Sequence, residues 1–132
     1  MSMLHDNELL SYSVDFKKRT IILNTEYWHE KACEKTSVTF KNVTGHYFVD
    51  AGEMNTIIFD IDCYEIEQFI KDYALMLQDR KNYCWPLCYI DEADLIAKLH
   101  EQKQKYFYMQ SSCGMCGFII AEEMQCHTAF IK

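Results

Sequence analysis

The chain has 132 residues, of which 49% are hydrophobic, with only four Gly and one Pro. Such a length and composition fit one α+β domain spanning 1–132 that buries its own core, and they exclude a disordered or low-complexity chain. A formal charge of −7, from thirteen Lys and Arg against twenty Asp and Glu, opposes binding to nucleic-acid phosphates, so no nucleic acid is expected as a partner.

The first residues, Met1 to Asp6, lack the basic start and apolar run of an export signal. The longest apolar stretches, such as Phe118-Ile119-Ile120-Ala121, are strand-sized and far short of the roughly 20 residues that span a bilayer. A cytoplasmic protein with no membrane partner is therefore expected. In that compartment the seven Cys, an odd number, read as reduced thiols.

Leu10, Tyr12, Val14 and Phe16 alternate with polar residues, which predicts a half-buried strand. After the turn at Lys17-Lys18, Arg19 to Tyr27 reads as its hairpin partner, and Trp28 to Glu34 as a loop. Ser37 to Asn42 and Val43 to Asp50 are the next two strands, ended by a turn at Ala51-Gly52-Glu53. Asn55 to Cys63 is a fifth, with Ile57, Phe59, Ile61 and Cys63 on one apolar face and Asp60 and Asp62 on the other.

The period then changes. Ile66, Phe69, Ile70, Tyr73 and Leu77 recur at helical spacing, predicting one amphipathic helix over 64–79 with Glu65 and Glu67 at its positive end. Trp85-Pro86 lies in a loop over 80–90. Asp91 is placed to cap a second helix that turns Ile96 and Leu99 inward. Tyr106 to Ser111 and Gly117 to Ala121 close the chain as strands. This order predicts an antiparallel β-sheet with two helices packed on one face.

Candidate chemistry is sparse. Cys113-Gly114-Met115-Cys116 could supply half a zinc site with Cys126-His127, or a redox pair, but it sits between two strands and reads as a hairpin turn. Cys84 and Cys88 have no His nearby in sequence to activate a thiol, and Trp85 between them reads as a core anchor. The His residues show no metal-ligand spacing, and phosphate-loop and nucleophile-elbow motifs are missing. Asp60 and Asp62 would need a cleft and one raised pKa to act as paired acids. No catalytic residue, metal or cofactor is assigned, and a non-enzymatic role is expected.

Charge is more informative. Between Asn42 and Ile70 there is no Lys or Arg, while Asp50, Glu53, Asp60, Asp62, Glu65 and Glu67 all fall inside. This block reads either as a solvated face or as a docking surface for a basic protein.

The strand Asn55-Thr56-Ile57-Ile58-Phe59-Asp60-Ile61, the helix after it, Cys84-Trp85-Pro86 and the closing Ser111-Ser112-Cys113-Gly114-Met115-Cys116-Gly117-Phe118 give the chain a plan, from Leu10 to Ala121, that resembles immunity proteins of bacterial polymorphic toxin systems. Contact-dependent growth inhibition is one such system. The resemblance implies a cytoplasmic protein that binds a cognate toxin domain, often a nuclease, and blocks it. Because nuclease toxins hold phosphates they tend to be basic, so an acidic antagonist gains association rate and selectivity. No immunity residue transfers by motif. The expected partner-binding residues rest on charge and exposure: Asp50, Glu53, Asp60, Asp62, Glu65 and Glu67, with Tyr64 as an aromatic contact. The alternatives are a homo-oligomeric structural or interaction protein, and a thiol or zinc protein using Cys113 and Cys116.

Overall fold

A computed structural model describes Leu4, residues 6–52 and residues 55–131, without the side chain of Phe59. The strands are β1 (Glu8–Asp15), β2 (Thr20–Trp28), β3 (Cys33–Lys41), β4 (Gly45–Val49), β5 (Thr56–Tyr64), β6 (Lys105–Cys113), β7 (Cys116–Ala121) and β8 (Glu123–Ile131). They form one eight-stranded antiparallel sheet in the order β4-β7-β6-β5-β1-β2-β3-β8. The fold is thus mostly β.

The sheet folds over itself at its weakest seam. Strands β5 and β1 share only the pairs Glu8↔Ile57 and Leu9↔Thr56, whereas β2 and β3 pair along their whole lengths. Bending there lays β2 and β3 across β6 and β7, and Ile21, Leu23, Val38 and Phe40 meet Phe107, Met109, Ile119 and Ala121 in one core. Phe40 and Phe107 meet edge-on with centroids 5.4 Å apart, a favoured aromatic geometry. Beside this apolar core runs a buried polar chain: Asn7 Nδ2 donates to Thr25 Oγ1 at 3.0 Å, Thr25 Oγ1 donates to Thr36 O, and Thr36 Oγ1 meets Thr128 Oγ1. Each of these hydroxyls is hydrogen-bonded, as burial requires.

On the opposite face of β6 and β7, Tyr106, Phe118 and Ile120 form a second core with the helices α1 (Ile66–Asp72), α2 (Ala74–Arg80) and α3 (Glu92–Glu101). The two expected helices are therefore three, with a further 3-10 turn at Lys81–Tyr83. The first expected helix is broken at Tyr73, whose φ of −122° and ψ of 30° leave the helical region; its half-buried ring packs instead on Phe118, centroids 4.4 Å apart. Asp91 caps α3 as expected, accepting from Asp94 N at 2.8 Å.

Other expectations need correction. In β5 the pairing with β6 shifts between Ile57 and Ile58 and again between Ile58 and Asp60. These irregularities put Ile58 and Ile61 in the core and leave Cys63 exposed, where simple alternation placed Ile57, Ile61 and Cys63 together; the Phe59 side chain lies outside the described residues. A similar shift lies between Leu9 and Ser11; Leu9 packs against the core, while Leu10 and Tyr12 are 48% and 44% exposed. Strand β8 was not expected at all. The seven thiols are not all free: Cys84 and Cys88 form a disulfide, with Cys84 in the left-handed region at φ 54° turning the chain back so that the two Cα atoms lie 4.2 Å apart.

Candidate functional site

The pleat of β5 turns Asp60, Asp62 and Tyr64 to the same face, and their partners across the ladder are Gln110, Tyr108 and Tyr106. Helix α1 leaves the end of β5 and lies along this face, so Gln68 and Asp72, one helical turn apart, form the facing wall. Between them runs an open groove of about 620 Å³, lined by Tyr64, Gln68, Asp72, Tyr73, Tyr106, Tyr108 and Gln110.

Its polar groups are held in place. Tyr106, almost fully buried, projects its hydroxyl to Asp72 Oδ2 and donates to it at 3.0 Å. Gln68 Nε2 donates to Asp72 Oδ1 at 2.7 Å, and Gln110 Nε2 donates to Asp62 Oδ2 at 2.9 Å. The backbone N–H of Ile61 donates to Asp60 Oδ1. Neutral donors thus fix all of these carboxylates, and among the described residues no Lys, Arg or His pairs with them.

The phenols register this unbalanced negative charge. Asp62 is the main cause of a raised Tyr64 pKa, followed by burial, Asp72 and Asp60. Burial, then Tyr73 and Asp72, hold the Tyr106 phenol well above the ordinary tyrosine range. Both hydroxyls stay protonated at neutral pH and act as donors. An arrangement of fixed carboxylates among aromatic rings can receive a cationic side chain, through charge-assisted hydrogen bonds and ring faces together.

The structure divides the acidic block foreseen from charge. Asp60, Asp62 and Tyr64 come together beside the groove. Glu65 pairs with Lys105 Nζ at 3.3 Å, and Glu67 meets His100 Nε2 at 2.9 Å, so both are already partnered. Asp50 is exposed in the connection after β4, at a left-handed φ of 65°, and Glu53 lies outside the described residues. Sequence reasoning missed Asp72, Gln68, Tyr73, Tyr106, Tyr108 and Gln110. The first three are legible in hindsight as the i, i+4 and i+5 positions of a helix following the acidic strand, but the β6 residues needed the β5–β6 register.

Cys113 and Cys116 end β6 and begin β7, so they flank a hairpin turn, and Cys113 Sγ donates to Asn55 O at 3.1 Å. Cys126 and His127 lie in β8, at the opposite end of the strand order, and do not complete a site with them. Among the described residues no cluster of His, Cys, Asp and Glu could hold a metal, and no helix is long and apolar enough to cross a membrane.

The molecule is thus a mostly antiparallel β protein with an acidic, tyrosine-lined groove between its sheet and its first helix. The family model of the YxiG-like proteins matches residues 1–74, more than half of the chain, and the protein belongs to that family. The match runs from β1 through α1 and includes one wall and half of the floor of the groove. No curated protein and no solved structure is significantly similar to the chain.

Proposed function

We propose that this protein works by binding, and that it neutralises a basic toxin domain by seating a cationic side chain of that domain in the groove. The observation that carries this reading is the grouping of Asp60, Asp62 and Asp72 around Tyr64 with no facing cation among the described residues. The present partners of these carboxylates are neutral donors, so an entering Arg or Lys would be the first cation they meet. Aromatic walls add contact area at low entropic cost, as at other interface anchors. The overall charge of −7 steers a basic partner toward the molecule before contact. Asp50 would act at longer range, while Glu65 and Glu67 would first have to exchange their present partners.

The test is co-expression of the tagged chain with the protein encoded next to it, followed by capture and washing at low and then high salt. Recovery of a stoichiometric basic partner that is toxic when expressed alone supports neutralisation by binding. A bait recovered clean at low salt, from cells in which the neighbouring protein is produced, contradicts it.

A further inference from the structure

The two edges of the sheet are treated very differently. Strand β4 is short and covered: Pro86 and Trp85 lie against Gly45, the Phe48 ring meets Tyr12 at 5.3 Å, and Arg19 donates from its side chain to Val43 O and Thr44 Oγ1. Strand β8 is nine residues long and, among the described residues, pairs on one side only, with β3. That pairing runs without a shift from Lys41↔Glu123 to Cys33↔Ile131. Edge strands are ordinarily blunted by Pro, Lys, a bulge or brevity, and Glu123–Ile131 has none of these devices.

We propose that β8 is the contact between two copies of this chain, which pair their β8 strands antiparallel across a two-fold axis at His127. Three observations select a second copy. An antiparallel strand pair is self-complementary under a two-fold axis, and full overlap sets Glu123 opposite the partner's Ile131, Gln125 opposite Ala129 and His127 opposite its own symmetry mate. Each pair joins residues of equal parity, so the two members face the new ladder alike, as antiparallel pairing demands.

The second observation is charge. A copy of a chain carrying −7 is repelled by most of its surface, whereas β8 carries Glu123 as its sole carboxylate and no Lys or Arg. The symmetric register puts the two Glu123 side chains at opposite ends of the contact. The third is the apolar residue left over at the strand's end. Phe130 is 66% exposed, and the register sets it opposite the partner's Met124, which already packs against the core of its own subunit. The contact is separate from the tyrosine-lined groove and does not depend on the function proposed for it.

Sedimentation of the full-length protein over a wide concentration range tests this. A monomer–dimer equilibrium is expected, weakened about tenfold or more by Q125K/A129K, which sets lysines opposite one another across the axis. His127→Cys tests the register without that charge change: mild oxidation should link two chains, with the bond mapped to position 127. A monomer at every concentration overturns the proposal. So does a dimer that a folded Q125K/A129K protein forms equally well, or one in which position 127 never cross-links.

Discussion

Tyr106 and Asp72 are joined by a 3.0 Å hydrogen bond from the phenol to the carboxylate, and this contact ties the helical core to the groove. Tyr106 comes from β6 and is almost wholly buried against Phe69 and Phe118, while Asp72 ends α1 at the surface. The ring is therefore set by packing, and its hydroxyl in turn sets one wall of the groove. Tyr106→Phe keeps the ring and removes the donor. The expected cost is about 1 kcal/mol, since exposed Asp72 can turn to water instead. Urea unfolding checks it, and an unchanged midpoint would show that the bond does not hold α1 to the sheet.

Thr25→Val replaces a hydroxyl of nearly equal shape inside the polar chain that links Asn7, Thr25, Thr36 and Thr128. It leaves the buried Asn7 amide without its Thr25 acceptor and removes the side-chain donor to Thr36 O. A loss of about 1–3 kcal/mol is expected, measured by thermal or urea unfolding. Thr36→Val should be milder, because it removes only the contact to half-buried Thr128 and leaves the Thr36 carbonyl in place.

Gly117 pairs with Phe48 across the β4–β7 ladder at φ 156°, and a Cβ placed there meets the backbone carbonyl of Tyr47 and lies 2.9 Å from Phe48 Cα. The obstruction is backbone, so it cannot rotate away. Gly117→Ala should cost about 2–3 kcal/mol and loosen β4, seen as faster amide exchange at His46 and Phe48. Exchange equal to that of the parent protein would show that β4 can shift at no cost.

Stability should fall on acidification in two stages. Burial between Phe16 and Phe48 lowers the pKa of His46 from 6.5, so the folded state resists a proton that the unfolded chain accepts. The contribution of neutral His46 is complete above pH 6.5 and is lost as pH falls through that value toward the lower folded pKa. Asp94, held down first by the Ile90 N–H and then by Lys98, contributes above its ordinary value of 3.8 and is lost as pH falls further. Urea midpoints between neutral and mildly acidic pH report the first stage. His46→Gln should flatten that stage alone; an equally steep fall in the variant would assign it to another group.

Much of this arrangement is legible in the residues. Strands β2, β3, β6 and β7 follow from their hydrophobic patterns, and the cap at Asp91 from its position before an amphipathic run. Three features resisted for physical reasons. The register shifts in β5 change which residues face inward, so Ile58 enters the core although alternation assigned it outward. The apolar spacing through Tyr73 continues across a break in the backbone, because the ring meets Phe118 whether or not the helix is continuous. Strand β8 alternates Met124, Cys126 and Thr128 inward, a weak signal among polar neighbours, and its existence depends on pairing with β3. The candidate site was legible only on its β5 wall. Asp60 and Asp62 stood out as carboxylates without local cations, but their joining with Asp72 and three β6 residues is a property of tertiary register.

The most direct test of the central claim is the association rate of the protein with the basic partner proposed for it, measured at low and high salt for the parent chain and for D60K/D62K. Half-buried carboxylates beside the groove that steer and receive a cation predict a parent rate that falls steeply with salt. They also predict a variant slowed about tenfold or more at low salt, with its salt dependence flattened or reversed. A parent rate indifferent to salt, matched by that of the folded variant, would contradict binding through the groove.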